Sequence, residues 1–175
     1  MPGLRKYRVF LHDVRIELDR IERLTASGSS RGCLPGCADC CSPITVLPVE
    51  AYAVVTHAES EGWGRIGGTP NSDACAFLSE EHVCAIYQAR PFLCRTRGYP
   101  ILHLNGDGEW ERDACKKRGF VPDAGEPVGL SLETWNARLF RLNEEFCAKR
   151  GISPGRIRLR DLLPSQNAAM SPTCR

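Results

Sequence analysis

Apolar residues recur at steps of three and four near both ends of the chain, and this periodicity predicts two amphipathic helices. The first spans about 4–25, with a stripe formed by Leu4, Tyr7, Leu11, Val14, Leu18 and Ile21 and widened by Phe10 and Leu24. Acidic and basic residues, Glu22 among them, alternate opposite this stripe and are expected in solvent. The other helix spans about 131–150, with Ser131 as its N-cap, Gly151 beyond its end, and a stripe formed by Leu132, Trp135, Leu139, Leu142 and Phe146.

Between these helices the periodic segments are shorter and loops take up more of the chain. Pro48 opens a third predicted helix over 49–63, because proline fits a first helical turn. Its inward face is predicted to be Val49, Tyr52, Val55 and Ala58. The preceding segment, 26–36, is rich in Ser and Gly and is predicted to be loop, as is the glycine-rich segment 62–73.

Two short apolar runs follow, at 75–78 and 83–87, and the four residues between them predict a β-hairpin. A turn or short helix is expected to start at Arg90-Pro91, and residues 99–104 predict a further strand. The sequence therefore predicts a small, mainly helical α+β protein with a short hairpin and cysteine-rich loops.

Composition limits the class of protein. The chain has 175 residues, 42% of them hydrophobic and 25% charged, which is typical of one compact globular domain, here taken as 1–175. The net charge of +2 gives no case for nucleic-acid binding. No apolar run approaches the ~20 residues that span a bilayer, and the N-terminus lacks a signal-peptide core. We therefore expect a cytoplasmic protein; no protein partner can be named.

Ten cysteines change this picture, above all the stretch CLPGCADCC from Cys33 to Cys41. Cytosolic thiols stay reduced, so metal ligation is favoured over a disulfide framework. The predicted ligands fall into two half-sites and comprise Cys33, Cys37, Cys40, Cys41, Cys75, Cys84, Cys94 and Cys115. Cys147 is expected to be packed and Cys174 to be a bystander, while a lone histidine such as His57 is more often structural than a ligand.

Thiolate ligands select zinc, copper(I) or iron–sulfur clusters. Neighbouring Cys40 and Cys41 point in different directions in most backbone conformations, so they are expected to serve different metals or different irons of one cluster. The thiols also outnumber the ligands of one tetrahedral zinc. A [4Fe–4S] cluster is therefore favoured slightly over zinc, and both stay open. The C-x3-C-x2-C spacing of radical adenosylmethionine enzymes is also present, but Asp39 stands where those usually have an aromatic, and their barrel pattern is missing.

The string C-x-F-L-x5-C-x-I-Y-x2-R-P-x2-C-R, together with CLPGCADCC, resembles the YkgJ-type cysteine-cluster family over about 33–119. Members are described as candidate zinc- or iron-chelating proteins, and the resemblance implies that the eight cysteines are the chelating ligands. After Cys94 the run RTRGYP departs from the shorter run expected of the family. The cysteine pattern is also similar to that of flagellin lysine N-methylases, which implies an iron–sulfur cluster engaged in methyl transfer.

Three functions follow from these observations. The first is a metal-binding protein that holds a cluster or zinc, since the segment 33–119 is too poor in apolar residues to fold alone. The second is an iron–sulfur enzyme that uses adenosylmethionine or transfers electrons. For that function Tyr87, Arg90 and Arg95 are the candidate cofactor-binding residues, although Tyr87 and Arg90 could equally fix a turn. The third is a zinc-stapled interaction module that uses the basic loop 116–118.

Overall fold

The computed structural model describes residues 2–25, 36–62, 73–115, 117, 120 and 128–164. Two of the cysteines, Cys33 and Cys174, lie outside the described residues, as do most of the glycine-rich segment 62–73 and all of the basic loop 116–118 except Lys117. In the described part, no helix has the length and apolar character needed to cross a membrane.

Four helices carry most of the regular structure. They are α1 (Pro2–Thr25), α2 (Pro48–Glu61), the short α3 (Phe92–Thr96) and α4 (Leu132–Ala148). The three long helices and the turn at Arg90-Pro91 are confirmed. The Ser131 hydroxyl accepts a hydrogen bond from the Thr134 N–H and so caps α4 as predicted. Gly151 follows α4 with φ +64°, a conformation that favours glycine.

In the part of the chain that the structure describes, five short strands form two small sheets. Strands β1 (Thr45–Val46) and β5 (Ile157–Arg158) pair antiparallel. The second sheet has the order β3-β2-β4, with β2 at Ile101–Leu104, β3 at Trp110–Asp113 and β4 at Leu130–Ser131. Strands β2 and β3 form the actual hairpin, whereas β2 and β4 are parallel. The protein is therefore α+β as predicted.

The two strands of the hairpin predicted over 75–78 and 83–87 do not form as regular strands. Only one antiparallel bridge, Leu78 with Cys84, joins the two segments. Past Cys84 the chain turns at once, since the Tyr87 N–H donates to the Cys84 carbonyl at 3.2 Å, and residues Tyr87–Ala89 form a 3-10 turn. Buried Phe77 and Ile86 hold this looped segment in place of a strand ladder.

The first of two hydrophobic cores lies where α1, α2 and α4 meet. It contains most of the predicted α1 stripe and both fully buried members of the predicted α4 stripe, Leu139 and Phe146. Cys147 is buried here and is packed as predicted. The edges of α1 differ from the prediction, because Leu24 is 58% exposed and Glu22 is only 8% exposed.

The second core lies on the other side of α2. It gathers the buried residues Val46, Ala51, Val54, Ala58, Ala76, Phe77, Ile86 and Leu159, and the half-buried Cys75 and Cys84 pack against it. Because α2 serves both cores, its buried residues do not form one stripe. The predicted inward residue Val55 is only half-buried, whereas its neighbour Val54 is fully buried.

Candidate metal centre

The predicted ligands lie on loops that the second core supports. Cys75 and Cys84 flank the looped segment, and Cys94 lies in α3. Cys37, Cys40 and Cys41 occupy the chain that leads into β1, and all six of these cysteines are half-buried. Cys115 follows β3, where its N–H donates to the Gly98 carbonyl at 3.4 Å. The structure thus describes seven of the eight predicted ligands, and Cys33 lies outside the described residues.

The two predicted half-sites are joined by backbone and side-chain contacts. The Cys75 N–H donates to the Cys41 carbonyl oxygen at 3.0 Å. At the tip of the looped segment, His82 Nδ1 lies 3.2 Å from the Gly36 carbonyl oxygen. These contacts bring residues 36–41 against the segment that carries Cys75 and Cys84. The contacting residues lie far apart in sequence, by 34 positions for Cys41 and Cys75 and by 46 for Gly36 and His82.

A third contact involves charges. Lys117 forms an ion pair with Asp39, which lies between Cys37 and Cys40. The hydrogen bond and charge of Lys117 hold the pKa of Asp39 below its ordinary value. In turn Asp39, with smaller effects from Cys37 and Cys115, raises the pKa of Lys117. The Cys115 loop therefore lies next to the first cysteine motif.

Cys75, Cys84 and Cys94 form a second neighbourhood. Burial is the main cause that raises the pKa of Cys84, and the charge of Cys75 adds to it. Burial also raises the pKa of Cys94 to about 12, with further increases from Cys75 and Cys84 and opposing effects from Arg90 and Arg97. Because the charge of one thiol affects the pKa of another only at short range, Cys84 and Cys94 lie near each other and near Cys75 in the fold.

Tyr87, Arg90 and Arg95 brace the chain between Cys84 and Cys94. The Arg90 guanidinium lies over the Tyr87 ring, 3.8 Å from its centroid, and its Nε donates to the Tyr87 carbonyl. Arg95 donates from Nε to the Arg90 carbonyl at 2.7 Å and from Nη2 to the Gln88 carbonyl at 2.5 Å. These contacts fix the turn, and cofactor binding by the three residues stays a prediction.

Sequence reasoning missed Glu50, which positions α3. Its buried carboxyl accepts hydrogen bonds from the Leu47 N–H and the Phe92 N–H, both at 2.9 Å. Burial raises the pKa of Glu50, and these two hydrogen bonds oppose the rise. A signal was present, because a glutamate two residues after a helix-opening proline occupies the capping-box position.

The thiol chemistry of these residues suits a soft metal. Cys37, Cys40, Cys75, Cys84, Cys94 and Cys115 are all free thiols, and thiolates bind zinc and iron–sulfur clusters in preference to hard cations. Within the described ranges, which omit Cys33, no three His, Cys, Asp or Glu side chains are arranged to hold a metal ion as they stand.

Comparison with known families bears on the same segment. Residues 32–116 match the model of the CxxCxxCC family, whose description reads "Putative zinc- or iron-chelating domain". This match confirms the resemblance carried by the cysteine motifs over the central segment of the chain. The description supports metal binding and leaves zinc and iron unresolved. Neither the curated proteins nor the solved structures contain a match to the chain.

Proposed function

We propose that this protein binds a thiolate-liganded metal centre, an iron–sulfur cluster of the [4Fe–4S] type in preference to zinc. The observation that carries the proposal is the junction of the two half-sites, where the Cys75 N–H bonds to the Cys41 carbonyl at 3.0 Å. This hydrogen bond supports the proposal because it brings Cys41 next to Cys75, which packs against the second core, although the two residues lie 34 positions apart in sequence. The proposed ligands are the eight cysteines that the family resemblance implies.

We also propose that metal binding brings the cysteine-bearing loops closer together. Since no three described side chains are arranged to hold an ion, the loops must move together, or Cys33 must complete the set. A bound metal also removes the proton from a thiol such as Cys94, whose pKa is otherwise raised by burial. The reducing cytoplasm, the location proposed from the sequence, keeps such thiols available.

Iron–sulfur is preferred because the donor set is rich in thiols and includes adjacent cysteines. Cys40 and Cys41 cannot easily serve one tetrahedral zinc, whereas a cluster presents several irons. Two zinc ions, one for each neighbourhood of cysteines, are the alternative outcome of the test.

The test is the metal content of the whole protein purified without oxygen. A brown protein with absorption near ~400 nm, about four irons and matching sulfide would support the cluster. A colourless protein with stoichiometric zinc would replace the cluster by zinc and keep the binding function. If neither iron nor zinc copurifies or can be loaded, the proposal fails.

A matched pair of variants tests the ligand assignment. Cys94→Ala and Cys147→Ala each remove a thiol from a helix, and both thiols have raised pKa values because of burial. Only Cys94→Ala should lose metal, whereas Cys147→Ala should keep the wild-type content. Equal metal content in the two variants would show that Cys94 is not a ligand.

A further inference from the structure

A cavity of about 310 Å³ lies between α1 and α2, next to the 3-10 turn Tyr87–Ala89. Leu4 and Leu11 of α1, Ala53 of α2 and Ala89 of the turn give it an apolar lining. Cavities that bind small molecules begin at about this volume and are mostly apolar with a few placed polar groups. The size therefore suits a small organic ligand.

The charges around the cavity all have one sign. Arg8 and Arg95 carry these charges, the His57 ring also lines the cavity, and none of the described lining residues is acidic. Neutral polar groups come from Thr56, Ser60 and Gln88 among others. A cleft lined by basic groups with low-dielectric walls concentrates anions.

Arg95 is the fixed part of this charged rim. Its guanidinium is held by the carbonyls of Gln88 and Arg90, so it needs little ordering when a ligand arrives. Within the described part of the chain no carboxylate forms an ion pair with it. A ligand carboxylate would supply the missing negative charge.

We propose that this cavity binds a small organic carboxylate with an apolar chain. The chain lies against Leu4, Leu11 and Ala53, and the carboxylate faces Arg95 and Arg8. Such a site is separate from the thiol ligands, because none of the cysteines lines the cavity among the described residues. The inference goes beyond metal binding and does not depend on it.

Octanoate is the probe, and isothermal titration calorimetry of the whole protein, with whatever metal it carries after purification, is the measurement. We expect saturable one-to-one binding, and binding of 1-octanol at least about tenfold weaker, since the alcohol lacks the charge that a guanidinium recognises. Ala53→Leu, which fills the apolar part, should weaken octanoate binding about tenfold or more. Arg8→Gln, at an exposed position, should weaken it about threefold.

Arg5→Gln is the matched control, since Arg5 is exposed on the same helix and does not line the cavity. It should leave octanoate binding unchanged, and all three variants should keep the wild-type metal content. The proposal is overturned if octanoate gives no saturable binding, if octanol binds equally well, or if Arg5→Gln weakens binding as much as Arg8→Gln. If Ala53→Leu does not fold, the comparison of Arg8→Gln with Arg5→Gln decides alone.

Discussion

Replacing Glu50 tests whether one buried carboxyl fixes the start of two helices. Its oxygens accept one hydrogen bond from the Leu47 N–H, which precedes α2, and one from the Phe92 N–H, the first residue of α3. The side chain is almost completely buried, with 3% of its residue surface exposed. Water therefore cannot replace the carboxyl oxygens if they are removed.

The magnitude follows from these two hydrogen bonds. A hydrogen bond to a charged group contributes about 1.5–3 kcal/mol, and a buried donor left without a partner costs about 1–3 kcal/mol. Glu50→Gln keeps one acceptor oxygen and turns an NH₂ group toward the other N–H, so we expect a loss of about 1–3 kcal/mol in the free energy of unfolding. Glu50→Ala removes both acceptors and leaves a void, so its loss should be larger, about 3–5 kcal/mol.

Urea unfolding followed by circular dichroism gives the free energies. Glu59→Gln is the control, because Glu59 is exposed on the same helix and a surface change of this kind stays within about 0.5 kcal/mol. If Glu50→Gln and Glu59→Gln unfold at the same urea concentration, the two hydrogen bonds do not hold the helix starts and the reasoning is refuted.

The pH dependence gives an independent check. Burial raises the pKa of Glu50 in the folded protein above its ordinary value of 4.5. As pH rises past 4.5 the unfolded chain loses this proton first, so the folded state binds more protons and loses stability through that window. The wild type should therefore lose stability relative to Glu50→Gln as pH rises from 4.5 to the folded pKa. A difference that grows in the opposite direction would contradict the raised pKa.

Two further predictions test the packing of the sheet and the junction of the half-sites. Gly129→Ala should lower the free energy of unfolding by about 1–3 kcal/mol, because a Cβ there would lie 2.9 Å from Leu102 Cγ. The control Gly106→Ala, whose Cβ meets nothing within 4 Å, should be nearly neutral in the same urea assay. Asp39→Asn removes the ion pair with Lys117 and should speed metal loss to a chelator about threefold. The control Asp107→Asn, at an exposed position, should not change the rate of metal loss. Equal rates in the two variants would show that the ion pair does not hold the site closed.

The long helices α1 and α4 could be predicted because each buries one face against one core. Their stripes repeat at helical spacing over many residues, so single errors such as Leu24 do not disturb the prediction. Helix α2 was located from Pro48, and Val49 and Ala58 are buried as predicted, but Val55 is only half-buried while Val54 is fully buried. Both of its sides are buried, so the apolar positions do not single out one face.

Contacts distant in sequence could not be predicted. Strands β1 and β5 have two residues each, which is too short for an alternating pattern to predict them. Their register pairs Thr45 with Arg158, which lie far apart in the sequence. For the same reason, the cysteine spacing indicated two half-sites but not the backbone hydrogen bond from Cys75 to Cys41 that joins them. Lys117 was interpreted only as part of the basic loop 116–118. Its side chain is exposed, but it forms an ion pair with Asp39 and therefore lies near the first cysteine motif.

The two cores also differ in whether predicted metal ligands pack against them. The first core is built by three long helices, and none of the seven predicted ligands that the structure describes is among its buried residues. In the second core Cys75 and Cys84 pack at the edge, and a single bridge is the only ladder contact between the segments that carry Leu78 and Cys84. Turn hydrogen bonds, such as that from the Leu78 N–H to the Cys75 carbonyl at 3.0 Å, also lie within this segment. Because Cys75 and Cys84 pack against the second core and not the first, a metal bound by them would order the second core more than the first. Helix α2, which is shared by both cores, would connect that ordering to the rest of the protein.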